Sequence, residues 1–86
     1  MNTPELIRAI GEALFGTRWQ TDLGDHLEVN RRTVQRWLAA QDEPRPGVWD
    51  DLLKVLDERI AAQQRLREAI RARQRQTTRQ IMGYLD

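Results

Sequence analysis

The segment from Gln20 to Trp37, QTDLGDHLEVNRRTVQRW, decides the fold of this chain. It contains two short stretches of helical periodicity, joined by Leu27-Glu28-Val29-Asn30. Asn30 is a strong N-cap residue for the second helix. The apolar positions are spaced so that the two helices can close against each other at a steep angle. They are Leu23, Leu27, Val29, Val34 and Trp37. This pattern predicts a helix-turn-helix.

The second helix of this segment is polar on the side that faces away from Val34, Trp37 and Leu38. At about 100° per residue, its polar side chains form one stripe. Arginine can donate two hydrogen bonds to guanine O6 and N7, and glutamine can pair in the same way with adenine N6 and N7. The stripe consists of Arg31, Arg32, Gln35 and Arg36. These residues predict a helix that enters the major groove of DNA.

With these residues, the segment 20–37 resembles the helix-turn-helix of the lambda-repressor-like family (Cro and phage-repressor type). With its flanking helices, the resemblance covers about residues 4–60. It implies that Gln20 contacts a phosphate and that Asn30 and Thr33 lie on the DNA backbone. It also implies that Arg31, Arg32, Gln35 and Arg36 face base edges or flanking phosphates. The family commonly has glycine where this chain has Glu28, and alanine where it has Gly24.

The flanking sequence adds further helices. A helix is predicted from about Pro4 to Phe15, with Thr3 as its N-cap. Thr17 and Gln20 have the spacing of a capping box that would open the next helix. The third helix is expected to end near Ala40, before the turn cluster around Pro44, Pro46 and Gly47.

The C-terminal part contains no glycine or proline from Val48 to Met82, which predicts one long helix. No β-branched run alternates with a period of two residues, so no strand is expected. The predicted class is all-α, with a compact helix-turn-helix domain of about four helices and a long C-terminal helical extension. The predicted domains are residues 1–60 and residues 61–86.

Composition limits what the chain can do. It has 86 residues and no cysteine, which excludes disulfides and thiolate metal sites and leaves room for one core of ordinary size. His26 is the single histidine, and no phosphate-binding loop or nucleophile–base pair is evident. We therefore expect no catalytic activity, no metal and no cofactor. Without a signal pattern or a bilayer-spanning apolar run, we expect a cytoplasmic protein that is nucleoid-associated when bound to DNA.

The formal net charge of +1 hides an uneven distribution. Residues 1–58 contain seven basic and eleven acidic residues, a net charge of −4, whereas residues 59–86 contain seven basic and two acidic residues, a net charge of +5. The basic end is either an ordinary solvated helix or a segment that adds salt-dependent affinity for DNA. Arg18 and Arg45 flank the polar stripe, and we predict that they contact phosphates.

The predicted C-terminal helix has apolar residues along its whole length. The stripe from Trp49 through Leu52, Leu53 and Leu56 to Ile60 is expected to dock on the first and third helices. A periodic helix that continues past its domain favours a coiled-coil or helix-exchange dimer. The predicted dimer or partner contacts are Ile60, Leu66, Ile70, Ile81, Tyr84 and Leu85.

Together these features predict a sequence-specific transcriptional regulator of phage or prokaryotic type, for example a repressor. It would bind double-stranded DNA as a homodimer on two half-sites. Two alternatives stay open. One is an antitoxin-type regulator whose C-terminal arm binds a protein partner. The other is the DNA-binding subunit of a recombination or phage-packaging machine.

Overall fold

The computed structural model describes the backbone of residues 1–85 and the side chains of residues 1–77. Over these residues the protein is all-helical, without a strand, which confirms the predicted class. The elements are α1 (Thr3–Phe15), a 3-10 turn (Gly16–Arg18), α2 (Trp19–Leu27), α3 (Arg31–Leu38) and α4 (Pro46–Leu85). Three short helices thus precede a single long one, because the predicted fourth helix and the extension are continuous. The chain divides into a compact unit, Met1–Val55, and a second unit that begins at Leu56.

The predicted N-cap of α1 was wrong by one residue. Asn2 has extended backbone geometry, and its side-chain Oδ1 accepts a hydrogen bond of 2.9 Å from the Glu5 amide. Thr3 is already helical, so its hydroxyl cannot cap the first turn; it donates instead to Glu43 Oε2 at 3.0 Å. The start of α1 is thereby tied to the loop between α3 and α4.

The predicted capping box of α2 was also wrong. Thr17 lies inside the 3-10 turn, and α2 begins only at Trp19, with Arg18 as an N-cap that makes no side-chain capping bond. The physical reason is the close succession of the two helices. Gly16, at a φ of 74°, ends α1, and the chain enters the 3-10 turn directly. Thr17 therefore does not occupy the position from which a hydroxyl can cap α2.

The core of the first unit is built by residues from all four helices. Its buried members are Ile7, Trp19, Leu23, Val34, Trp37 and Leu52, and Leu27 and Val29 pack against them. Every apolar position predicted to close the helix-turn-helix therefore contributes to this core. No charged or polar residue is buried in the part of the chain whose side chains are described.

The docking stripe expected on α4 was wrong at two positions, Leu53 and Ile60. Leu52 is 1% exposed, but Leu53 is 59% exposed and Ile60 is 51% exposed. Leu52 and Val55 are buried, and Val48 packs against the core. The spacing 48, 52, 55 follows the i, i+4, i+7 rule for one helix face, and Leu53 lies about 100° away from Leu52.

Gly11, in the middle of α1, is required by its contact with Trp19. A Cβ atom added to Gly11 would overlap the six-membered ring of Trp19, which is 3% exposed. Sequence periodicity gives no indication of this contact. Because the indole ring lies directly on the backbone of α1, the glycine lets the 3-10 turn and α2 approach α1 closely.

We expect Gly11→Ala to destabilise the protein by about 1–3 kcal/mol, although alanine favours helix by about 1 kcal/mol. Overlap with a buried ring can be relieved only by moving a packed element. Chemical denaturation followed by tryptophan fluorescence measures the change. Gly47→Ala is the matched control, because Gly47 is in the first turn of α4 and an added Cβ would meet no atom within 4 Å. Equal stability of the two variants would contradict the Gly11–Trp19 contact.

Candidate nucleic-acid interface

Helix α3 has one buried side and one exposed side. Val34 is fully buried and Trp37 is 4% exposed, so these two residues hold α3 against the core. The opposite side is exposed, and it presents Arg31, Arg32, Gln35 and Arg36. The separation is sharp because, in eight residues, the apolar and polar positions fall on opposite sides of the helix. The structure therefore places all four residues of the predicted stripe on the solvent side.

The turn that precedes α3 is tight and contains a strained residue. Glu28 is left-handed, with φ 57° and ψ 39°, which costs a non-glycine residue about 1–2 kcal/mol. The Val29 amide donates to the Gly24 carbonyl oxygen at 2.8 Å, and a Cβ added to Gly24 would lie 2.9 Å from the Val29 carbonyl oxygen. Gly24 thus allows the turn to fold back onto α2 more closely than an alanine would.

Asn30 organises the first turn of α3. Its Oδ1 accepts from the Thr33 amide at 2.9 Å and from the Thr33 hydroxyl at 3.1 Å, which caps the helix as expected. The Thr33 hydroxyl and the Asn30 oxygen are therefore engaged within the protein. Asn30 is exposed, so its amide nitrogen can still donate outward. Asn30 and Thr33 therefore orient the first turn of α3.

A shallow depression brings together three predicted contact residues from three different elements. Arg18 comes from the 3-10 turn, Gln20 from the first turn of α2 and Arg31 from the first turn of α3. Thr17 and Thr21 complete its lining. Two guanidinium groups beside an amide and two hydroxyl groups can bind phosphate oxygens.

A second depression lies along the exposed side of α3. It is lined by Arg32, Gln35, Arg36, Ala39 and Gln41. Gln41 was not predicted, because it lies beyond the end of α3, and only the turn after the helix brings it beside the polar stripe. The exposed side of α3 is therefore longer than the stripe that sequence spacing outlines.

Arg45 lies apart from these two groups. It lines a third depression with Thr33, Trp37 and two carboxylates, Asp42 and Glu43. The carboxylates offset its positive charge locally, and neither of the first two depressions includes it. The structure therefore does not bring Arg45 together with Arg31 and Arg32.

Arg36 is bound to a carboxylate that sequence reasoning missed. Its Nε lies 2.9 Å from Asp42 Oδ2, and both side chains are about half exposed. The chain reverses after α3 because Ala40 is left-handed, at a φ of 58°. The Gln41 amide then donates to the Arg36 carbonyl oxygen at 2.9 Å. A surface pair of this kind contributes about 0–1 kcal/mol to stability, so its main effect is on where the guanidinium lies.

Other kinds of site are not evident in the described part of the chain. It contains no group of three or more His, Asp or Glu residues that could hold a metal ion. His26 is exposed, with its ring centroid 6.2 Å from that of Phe15. No described helix combines the length and the apolar character needed to cross a membrane.

The second unit exposes large apolar side chains on α4. Ile60 is 51% exposed, Leu66 is 64% exposed and Ile70 is 60% exposed. At about 100° per residue, the three positions fall within a sector of about 120° on the helix. Ile81, Tyr84 and Leu85, which were also predicted to contact a partner, have side chains that lie outside the described residues.

No protein-family model, no curated protein and no solved structure matches this chain. The resemblance of residues 20–37 to the lambda-repressor-like family therefore stays a prediction.

The turn that follows α3 can be tested at Ala40, its left-handed residue. We expect Ala40→Gly to stabilise the protein by up to about 1 kcal/mol, because glycine removes a left-handed penalty that exceeds its own entropic cost. Ala39→Gly is the matched control. Ala39 has a φ of −87°, so this variant should lose about 0.5–1 kcal/mol. Urea denaturation distinguishes them, and an equal loss in both would refute the left-handed turn.

Proposed function

We propose that this protein is a sequence-specific DNA-binding regulator that reads the major groove with α3 and acts as a homodimer. The observation that carries the proposal is the exposed side of α3. Three arginines and a glutamine occupy it, while Val34 and Trp37 anchor the opposite side. An α-helix with its side chains is about 10–12 Å wide, and the major groove of B-DNA is about 12 Å wide.

The residues of α3 have the chemistry for reading bases. Arg31 and Arg32, near the N-terminus of the helix, are exposed and form no ion pair with any described residue. Their guanidinium groups can bind guanine, and Gln35 can bind adenine. In helix-turn-helix proteins, the N-terminal residues of the recognition helix contact base edges.

The depression beside α3 supplies contacts to the DNA backbone. Arg18, Gln20 and Arg31 line it together, and the first helix of a helix-turn-helix crosses the backbone when the second lies in the groove. Phosphate contacts of this kind fix the orientation of the recognition helix, whereas base contacts determine the sequence that is bound.

The charge balance of the first unit favours specific over general binding. Residues 1–55 contain seven basic and nine acidic residues, a net charge of −2. A protein that binds any DNA depends on a broad positive surface. In this unit the positive charge is concentrated on α3 and at Arg18, so the affinity that this unit contributes has to come from a few oriented contacts.

A dimer follows from the small size of one reading helix and from the exposed apolar residues of α4. One helix of eight residues reads too few base pairs for useful specificity, and paired half-sites lie about 34 Å apart on B-DNA. Ile60, Leu66 and Ile70 present an apolar strip that a second copy of α4 would cover. The operator would then consist of two half-sites.

We expect Arg31→Ala and Arg32→Ala each to reduce the preference for a selected operator over a scrambled duplex by about 1–3 kcal/mol. Each change removes a guanidinium group that can bind guanine, without disturbing the core, whereas loss of a phosphate contact alone would weaken both duplexes equally. In-vitro selection with the wild-type chain provides the operator, and fluorescence anisotropy titrations at several salt concentrations measure both affinities.

The control for this titration is Arg8→Ala. Arg8 is an exposed arginine of α1 that lies 3.9 Å from Glu12 and belongs to none of the three depressions beside α3. Arg8→Ala removes the same charge as Arg31→Ala or Arg32→Ala, and it should leave the preference for the operator over the scrambled duplex unchanged. Wild-type protein that binds operator and scrambled DNA equally would overturn the proposal.

The dimer has its own test. We expect Leu66→Glu or Ile70→Glu to shift the protein from dimer to monomer in sedimentation velocity, because a carboxylate in an apolar seam loses its hydration. Gln64→Glu adds the same charge at an exposed position outside the apolar sector and should stay dimeric. A wild-type chain that sediments as a monomer at micromolar concentration would exclude this role for α4.

The same exposed strip favours one second candidate, the antitoxin-type regulator. If a second copy of the chain does not cover these large apolar side chains, they would suit a protein partner. A monomeric wild-type chain that nonetheless selects an operator would support this candidate. A subunit of a recombination or packaging machine would select DNA as well, but a reporter linked to the operator would not respond to it.

A further inference from the structure

We propose that Asp42 is a positioning residue that orients Arg36 for reading a guanine; this inference rests on the proposed function. Arg36 differs from the other two arginines of α3. Among the described residues, Asp42 is the carboxylate within ion-pair distance of Arg36, whereas Arg31 and Arg32 have none.

The atoms of the ion pair leave the reading side of the guanidinium available. Asp42 Oδ2 contacts Nε of Arg36 at 2.9 Å. A bidentate contact with guanine O6 and N7 requires two N–H groups in a planar fork. The two terminal nitrogens provide this fork when Nε is bound to the carboxylate. The pair therefore complements a guanine contact and does not compete with it.

The backbone holds Asp42 where this contact requires it. Asp42 lies outside α3, six residues after Arg36, and reaches it because the left-handed Ala40 reverses the chain. The amides of Gln41 and Asp42 both donate to the Arg36 carbonyl oxygen, at 2.9 and 3.4 Å. The Thr3–Glu43 hydrogen bond, one residue further along, ties the same loop to α1. The carboxylate is thus attached to a fixed loop.

Fixing a long side chain before binding improves recognition. An unrestrained arginine samples many rotamers, and ordering it on binding costs entropy. Because Asp42 already restricts Arg36 in the free protein, less side-chain entropy is lost when Arg36 binds DNA. The negative charge of Asp42 also repels phosphates, which lowers affinity for all DNA alike and leaves the ratio of specific to non-specific binding unchanged. The restriction of Arg36 is therefore the effect that raises this ratio.

The test compares Asp42→Ala with Glu43→Gln, which removes an equal charge from the next residue of the loop and keeps a side-chain oxygen that can accept from the Thr3 hydroxyl. Arg36→Ala first identifies the base pair that Arg36 reads, as the operator position whose substitution no longer matters. We expect Asp42→Ala to lower discrimination at that base pair about two- to fivefold and to leave the other positions unchanged. Glu43→Gln should leave discrimination at every position unchanged. Both variants should bind scrambled DNA more tightly than the wild type.

Two further variants separate positioning from structure. Asp42→Asn keeps an oxygen that can accept from Nε, so it should retain most of the discrimination that Asp42→Ala loses. Asp42→Ala in the Arg36→Ala background should cause no further loss. In the free protein, the Arg36 Nε–H resonance should exchange with water more slowly in the wild type than in Asp42→Ala.

The outcomes distinguish the two proposals. If the wild type selects an operator and Asp42→Ala discriminates as well as Glu43→Gln does, the positioning role is overturned and the proposed function stays intact. A loss spread over all operator positions also overturns it. A wild type without any operator preference overturns the proposed function, and the positioning role with it.

Discussion

Burial of Val34 and Trp37 determines the rotation of α3, and the surface of the protein around that helix follows from it. A helix with two side chains locked in a core shared with Ile7 and Leu23 has one possible outward side. The four polar residues of α3 occupy that side. The tight turn at Glu28 and the Asn30 cap determine where the helix begins, so residue spacing and core packing together set the position of every arginine on it.

Sequence periodicity could predict this arrangement because each relevant feature is local. The apolar spacing from Leu23 to Trp37, the asparagine before α3 and the turn-forming prolines all act within a few residues of themselves. The two incorrect caps have a local cause as well. Asn2 and Thr3 are both good N-cap residues, and the spacing of the apolar residues in α1 does not determine which of these two neighbours caps the helix. Thr17 had the right spacing to Gln20, but the chain entered a 3-10 turn one residue earlier.

The features that were missed depend on contacts between elements. Gly11 looks like a weak point in a helix until the ring of Trp19 is placed against it, and no helical period encodes that contact. Asp42 looks like a loop carboxylate until Ala40 turns the chain back towards Arg36. Alanine is seldom left-handed, so no residue type in this loop indicated the reversal. Leu53 shows the same limit. Its apolar side chain predicted a contact with the core, but the residue lies beside the docking face of α4 and is exposed.

The tryptophans lie at residues 19, 37 and 49, all within the first unit. Tryptophan fluorescence, excited selectively over that of Tyr84, therefore reports the melting of Met1–Val55. Far-ultraviolet circular dichroism is weighted towards α4, which contributes 40 helical residues, most of them in the second unit. The two spectroscopic signals follow different parts of one chain. Coincident transitions would indicate that the long helix and the tryptophan-containing unit unfold as one cooperative system. Separate transitions would assign a distinct melting temperature to each without any labelling.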